Sequence, residues 1–170
     1  MAAIELGVFP VHENKFEVET SPGKWSPIAN LEGFSPNFEG VVESWQAMEN
    51  GGWESKLKTG ASWSIALKGK RTIGDPGNDF IANKRFAIGQ DAYVNFRWTM
   101  PTGTTVTQRM VCNVTADGTG DTTNVGALEA DLQSDGKPDV GTAEALSAAE
   151  PVKVASAKTT KTVEVAKNEV

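Results

Sequence analysis

The sequence predicts a mainly β fold: a β-sandwich or barrel of about seven to eight antiparallel strands, with one short flanking helix, a long projecting hairpin loop and a C-terminal extension. Three observations support this prediction. Its 17 Gly and 8 Pro residues accompany 5 Trp and 7 Phe residues, a mixture of turn formers and large strand-favouring side chains. Several segments alternate apolar and polar residues between turn signals. A length of 170 residues, 39% of them hydrophobic, suits one domain with a substantial core.

The first half of the chain predicts two hairpins. Residues 16–20 alternate apolar and polar side chains, and Ser21-Pro22-Gly23-Lys24 supplies turn chemistry before Trp25. Residues 38–45 have an extended pattern with no cleanly apolar face, so we expect this strand to be covered on both sides. Asn50-Gly51 then favours the positive φ angles of a tight reversal. The segment is therefore predicted to form a long, projecting hairpin.

The middle of the chain predicts a core strand followed by a helix. Trp63, Ile65 and Leu67 alternate with polar residues across 62–71, which indicates one buried and one solvated face. Asp75 can cap a helix whose first position is Pro76, where the missing N–H has no cost. We expect about three turns of helix, ending near residue 89.

Further strands follow the helix. The apolar positions of 92–98 alternate, Pro101-Thr102-Gly103 turns the chain, and Val106, Met110, Cys112 and Val114 share one face of the next strand. A last strand around Leu128, Ala130 and Leu132 is expected to close at Asp135-Gly136.

The composition divides the chain into a β domain, residues 1–140, and an extension, residues 141–170. The extension lacks aromatic residues and is rich in Ala, Lys, Thr and Val, so it has too little apolar surface to fold alone. Two roles are open for it: a flexible, solvated tail, or an arm laid on a neighbouring subunit.

Charge and cysteine content exclude several function classes. The net charge is −6, and residues 1–140 carry all of it as 12 basic and 18 acidic side chains. Binding to nucleic acid through phosphate neutralisation is therefore disfavoured. Cys112 is the only cysteine, so an intrachain disulfide is excluded. The first residues lack a signal-peptide pattern and no run approaches about 18 apolar residues, so secretion and a membrane partner are disfavoured.

No pattern predicts an enzyme, and we assign no catalytic, cofactor-binding or metal-binding residues. Lys70 does not belong to a phosphate-loop motif. The residue after the lysine must be Ser or Thr, but it is Arg71, and the position of the motif's first glycine is occupied by Ser64. His12 is the only histidine, which argues against zinc. Residues 117–121 contain oxygen ligands but read better as a turn than as a calcium loop.

Two further interpretations, a cysteine nucleophile and a pair of catalytic carboxylates, have little support in the sequence. Cys112 would need His12 as its base, yet it shares a strand face with apolar residues and is expected to be a buried, inert thiol. Glu43 and Glu54 could face each other across the long hairpin, as the two carboxylates of a glycosidase do. Acidic residues are common enough in this chain to pair by chance.

The tryptophans support an alternative function. Trp63 and Trp98 fit a core face, whereas Trp45 and Trp53 bracket the projecting hairpin. Exposed rings there would serve either as protein contacts or as a platform for sugars. The alternative function is a carbohydrate-binding β-sandwich that recognises host cell-wall polysaccharide.

A linked series of motifs spans residues 25–139, about two-thirds of the chain. Its members are Trp25, Trp53-Glu54, Trp63-Ser64-Ile65-Ala66-Leu67-Lys68-Gly69-Lys70-Arg71, Gly74-Asp75-Pro76-Gly77-Asn78-Asp79-Phe80-Ile81, Phe96-Arg97-Trp98, Gly120-Asp121-Thr122-Thr123-Asn124 and Asp135-Gly136-Lys137-Pro138. In this order the series resembles the major tail tube protein family of siphophages, bacteriophages with long non-contractile tails. The extension after Pro138 departs from the family's simplest pattern.

The resemblance implies a structural virion protein and no cofactor. Six copies would form a ring through continuous inter-subunit sheet, rings would stack into a tube through the long hairpin, and the tube would conduct the genome into the bacterial host. The implied partners are identical copies, a tape measure protein inside the tube, and distal tail and tail terminator proteins. DNA would pass without specific binding, and an acidic bore would repel it. The implied locations are the virion tail and, during assembly, the host cytoplasm.

Overall fold

The structure is a computed structural model that describes residues 7–142. The prediction of a tail or arm over 141–170 concerns residues that, after Thr142, lie outside the described ones. The strands and the helix are β1 (Lys15–Ser21), β2 (Lys24–Pro27), β3 (Leu31–Gln46), β4 (Glu54–Lys70), α1 (Pro76–Ala82), β5 (Tyr93–Thr99), β6 (Thr104–Thr119), β7 (Ala127–Ser134) and β8 (Asp139–Thr142). Short 3-10 helices occupy Val11–Glu13, Met48–Asn50, Asn83–Phe86 and Gly89–Ala92.

All eight strands belong to one antiparallel sheet, in the order β2-β1-β5-β6-β7-β4-β3. β8 lies on the same edge of β6 as β7 does, because it pairs with residues 104–107 while β7 pairs with residues 110–119. The sheet is curled: the rings of Phe16 on β1 and Phe34 on β3, near its two ends, lie 4.8 Å apart. The predicted mainly β fold with one short helix is confirmed. The strand β8 was not predicted.

The core lies on the concave face of the curled sheet. The alternating positions predicted for it are confirmed, since Ile65, Phe96 and Leu132 are fully buried. Trp63 and Trp98 are buried too, with ring centroids 6.4 Å apart. Burial of side chains of this size contributes roughly 1.5–3 kcal/mol each. The apolar faces of β5, β7 and the inner half of β4 are thereby fixed toward one interior.

Helix α1 begins as the sequence predicts. The Asp75 carboxylate accepts a hydrogen bond from the Asn78 backbone N–H at 2.8 Å, and Pro76 occupies the first helical position. The helix is shorter than predicted, because it ends at Ala82 after two turns and the chain continues as a 3-10 helix. Phe86 and Ile88 are exposed, so no apolar contact with the sheet holds a third α-helical turn.

The loop of the long hairpin differs from the prediction in detail. Positive φ angles occur at Gly51 (59°) and Gly52 (89°), while Asn50 ends a 3-10 helix. Two adjacent glycines can adopt this geometry without the penalty that a Cβ atom would add, so the reversal does not require Asn50.

Among residues 7–142, none of the helices has the length and hydropathy that a membrane crossing requires.

Candidate functional site

The most distinctive surface is the outer half of the hairpin formed by β3 and β4. The two strands pair from Leu31 with Gly69 to Gln46 with Glu54. β7, on the other side of β4, pairs only with residues 64–70. Within the described part of the chain, residues 39–46 and 54–62 therefore form a two-stranded ribbon beyond the body of the sheet. We call these two segments the distal hairpin.

The distal hairpin has no buried residue on either face. The expectation that residues 38–45 are covered on both sides is therefore wrong for the single chain. An isolated two-stranded ribbon is at best marginally stable in water, and its outer edges present unpaired backbone donors and acceptors. The distal hairpin is thus the part of the fold with most to gain from a partner.

One face and the tip of the distal hairpin carry large exposed apolar side chains. A bulge between Val41 and Val42 shifts the register, and beyond it Trp45 lies opposite Ser55 and diagonal to Leu57. Trp45 and Leu57 are 49% and 59% exposed, while Trp53 near the tip is 81% exposed. Aromatic and aliphatic groups in such positions are typical of interface anchors.

The two hairpin carboxylates do not form a pair. Glu43 lies opposite Leu57, and Glu54 lies opposite Gln46. Positions 54 and 57 differ by an odd number, so the two glutamates project from opposite faces of the ribbon. Glu54 instead makes an exposed ion pair with Lys56 at 3.3 Å. The carboxylate arrangement of a glycosidase is absent from this hairpin.

An apolar cavity adjoins the root of the distal hairpin. Its volume is about 510 Å³, and the walls include Phe38, Trp63, Trp98, Met100 and Val140. Phe38 stacks on Trp63 with a centroid distance of 6.0 Å, yet remains 67% exposed. The apolar surface of the hairpin therefore continues into the end of the sheet.

A buried glutamine that the sequence reasoning missed supports this root. The Trp63 Nε1–H donates to Gln108 Oε1 at 2.6 Å, and Gln108 Nε2 donates to the carbonyl of Gly136 at 2.7 Å. Gln108 stands midway between Val106 and Met110, so strand alternation alone places it on the core face. A polar residue at a position where the pattern calls for an apolar one could have identified this site, because a buried polar side chain needs a hydrogen-bond partner.

Asn78 organises the opposite end of β4. It is fully buried, and its Nδ2 donates to the carbonyls of Ala29 and Lys70 at 3.2 and 3.0 Å. Its Oδ1 accepts from the Thr72 N–H at 3.0 Å and from Arg71 at 2.8 Å. The motif around residue 78 therefore joins α1 to two other chain segments, the one that follows β2 and the one at the end of β4. Its neighbour Gly77 has no room for a side chain, since a Cβ atom would lie 2.2 Å from the Pro27 carbonyl oxygen.

A group of alternating charges surrounds this junction. Arg71 contacts Asp79 at 2.7 Å and Asp117 at 2.9 Å, and Arg85 also binds Asp117. The hydrogen bond from Arg71, followed by that from the Gly74 N–H, lowers the pKa of Asp79 below its ordinary value of 3.8. Asp117 therefore binds two arginines. Of residues 117–121, for which we had expected a turn, residues 117–119 belong to the end of β6, and the turn begins at Asp121, whose carbonyl accepts from the Asn124 N–H.

The remaining candidate chemical residues lie apart. His12 is exposed in the first 3-10 helix, whereas Cys112 is buried in β6. Burial raises the pKa of the Cys112 thiol to about 12, which opposes formation of the nucleophilic thiolate. Lys70 pairs with Glu32 at 3.4 Å on the surface. Within residues 7–142, no three His, Cys, Asp or Glu side chains are grouped to hold a metal ion.

The fold of the chain is similar to the folds of chains from solved tail, virion and sheath-tube structures. A chain from the tail of an empty gene transfer agent (GTA) particle, obtained by helical refinement with C6 symmetry, superposes with a TM-score of 0.67 at 19% identity, covering 79% of this chain and 100% of that one. A chain from the virion of a native gene transfer agent particle gives 0.63 at 19% identity, with the same coverage.

A chain of the PVC sheath-tube complex, from an extracellular contractile injection system in the extended state, gives a TM-score of 0.55 at 15% identity. The match covers 82% of this chain and 94% of that one. The fold that the resemblance to tail tube proteins implies is therefore confirmed. No protein-family model and no curated protein sequence matches the chain.

Proposed function

We propose that this chain is the structural subunit of a phage-type tail tube: it assembles into hexameric rings that stack into a conduit for genome delivery. The uncovered distal hairpin carries this proposal. It leaves aromatic side chains and strand edges in water, and contact with identical copies would cover both.

The fold and the charge support the same function. Each of the three similar chains comes from a tail, a virion or a sheath-tube complex, and the first was obtained with C6 symmetry. The net charge of −6 suits a tube through which DNA passes without binding, since like charges repel.

Several partners and features belong to the proposal. A tape measure protein would occupy the tube, and distal tail and tail terminator proteins would close its ends. The protein would reside in the virion tail and, during assembly, in the host cytoplasm. Residues 1–140 would form the tube domain and 141–170 an extension or inter-subunit arm. No residue has a catalytic role in this function.

The carbohydrate-binding alternative is not favoured. It would use Trp45 or Trp53 as a sugar platform in a stable monomer that host cell-wall polysaccharide retains. The similar folds come from assembled particles, and the large apolar side chains of the distal hairpin suit a protein contact.

Negative-stain microscopy of the concentrated, purified protein tests the proposal. We expect rings or hollow tubes with six-fold end views. Light scattering across a range of concentrations and salt then follows assembly. A chain that stays monomeric under every condition, and that binds cell-wall polysaccharide, would refute the proposal in favour of the alternative.

A further inference from the structure

The apolar cavity at the root of the distal hairpin is exposed to water in the described part of the chain. Its volume is about 510 Å³, and its walls include Ala61 and Trp63 of β4 together with Pro138 and Val140 at the start of β8. Val140 is 58% exposed, and Phe38, also in the wall, is 67% exposed. Large apolar side chains that share one concave surface in water indicate a contact site.

The two strands beside the cavity have unpaired edges. β4 separates from β7 at Trp63, whose backbone N–H donates to the Ser134 hydroxyl at 3.1 Å. Within residues 7–142, the part of β4 before this point pairs only with β3, and β8 pairs only with β6. A segment that lies in the cavity could therefore receive main-chain hydrogen bonds as well as apolar contacts.

Two lysines give the cavity an excess of positive charge. Lys58 and Lys137 are exposed wall residues, and neither makes an ion pair with a carboxylate of residues 7–142. The acidic residue of the wall, Glu39, accepts a hydrogen bond from the Asn37 side chain at 3.0 Å. These charges favour an occupant that combines apolar with acidic side chains.

The described chain ends beside the cavity. Thr142, at the end of β8, lies opposite Thr104. The Thr104 carbonyl accepts a hydrogen bond at 2.8 Å from the N–H of Met100, which is part of the cavity wall. The sequence continues from residue 143 to residue 170. Because an extended chain spans up to about 3.5 Å per residue, ten residues reach roughly 35 Å from Thr142, far enough to turn back across the cavity.

The first ten residues after Thr142 have the chemistry that the cavity favours. Residues 143–152 include Leu146, Val152 and four alanines, so half or more of the segment is apolar. They also include Glu144 and Glu150 and no basic residue. The basic residues of the extension begin only at position 153.

We propose that residues 143–152 of the same chain fold back over this cavity and cover it in the dispersed subunit. Leu146 and Val152 contact the apolar walls, while Glu144 and Glu150 pair with the exposed lysines. A segment that starts at the cavity has a high effective concentration there, which favours it over the same segment of a second copy. The inference concerns the single subunit and does not depend on the tube function.

Disulfide formation in the dispersed, full-length protein identifies the occupant. The variant A61C/L146C is oxidised under mild conditions, with the native Cys112 buried. We expect monomers that contain an internal disulfide. The matched control is S21C/L146C, since Ser21 is also exposed but ends β1 at the end remote from the cavity. The control should cross-link at least about tenfold more slowly.

Disulfide-linked dimers of A61C/L146C would show that a second copy supplies the segment. Equal rates for A61C/L146C and S21C/L146C would show that the segment does not select the cavity. Either result would overturn the proposal.

A second measurement leaves the cavity walls unchanged. In the full-length variant L146S/V152S, the fluorescence of bound anilinonaphthalene sulfonate, a dye for exposed apolar surface, should rise about threefold or more. The matched control V163S/V165S changes two valines further along the extension and should leave the signal at the wild-type value. An unchanged signal in L146S/V152S, or an equal rise in both variants, would overturn the proposal.

These outcomes are separable from those that test the tube function. Rings and tubes from a chain whose cavity is not covered by residues 143–152 would leave the tube function intact. A chain that covers its cavity but never forms rings or tubes would refute the tube function alone.

Discussion

Removal of the two hairpin tryptophans is expected to weaken assembly without unfolding the subunit. Trp45 and Trp53 are 49% and 81% exposed, which leaves roughly 300 Å² of ring surface in water. At about 25 cal/mol per Å², full burial of that surface would stabilise a contact by at most about 7 kcal/mol. Ordering and desolvation costs reduce this value, so we expect a loss of about 3 kcal/mol per contact.

Such a loss corresponds to an increase of about 100-fold in the concentration needed for assembly. Sedimentation of polymer from a dilution series measures that concentration for wild type and for the W45A/W53A variant. The thermal midpoint of the dispersed subunit should change little, because neither ring belongs to the core. Phe9→Ala is the control, since Phe9 is an aromatic residue with similar exposure (51%) outside the hairpin. Equal assembly concentrations for W45A/W53A and wild type would refute the reasoning.

Four further predictions follow from the described contacts. Asn78→Ala should lower the free energy of unfolding, measured in urea, by about 2–4 kcal/mol, because it leaves buried backbone groups without partners. The control Asn83→Ala, at an exposed position, should lower it far less. Cys112, whose pKa is raised to about 12, should resist maleimide at pH 8 in the native protein and react after unfolding; rapid native labelling would contradict its burial. The folded protein lowers the pKa of Asp79, so the ionised carboxylate should stabilise the fold fully at pH values above 3.8 and lose this effect as the pH falls through the lowered pKa. The stability difference between wild type and Asp79→Asn should therefore vanish in acid. Amide hydrogens of residues 39–46 should exchange quickly in dispersed subunits and slowly in tubes, and equal rates in both states would show that the hairpin gains no partner.

Strand alternation predicted the core because it depends only on the pleat. Trp63, Ile65 and Leu67 face one interior, and the corresponding positions of β5 and β7 meet them there. The cap of α1 was equally predictable, since Asp75 and Pro76 act within one helical turn. Local chemistry of this kind is readable from a single sequence.

Features that depend on tertiary contacts were harder to predict from the sequence. The bulge between Val41 and Val42 shifts the register, so Glu43 and Glu54 project from opposite faces, a relation that the sequence pattern left open. Strand alternation places Gln108 on the core face, but its partner, the Gly136 carbonyl, is set by the tertiary fold. Asn78 is buried because the distant Ala29 carbonyl helps to complete its hydrogen bonds, which no local pattern reveals. β8 is only four residues long and forms because β7 leaves the edge of β6 free beyond Ser134.

The root of the distal hairpin has a mechanical consequence. Gly40 and Gly60 flank the bulge at Val41, so two residues without a Cβ atom stand where the ribbon leaves the sheet. A polymer whose joints are such ribbons can bend by small swings at every level while each hydrogen-bonded ladder stays intact. Elasticity would then be distributed along the whole filament. Replacing both glycines with alanine should increase the persistence length of the filament, measured in electron micrographs.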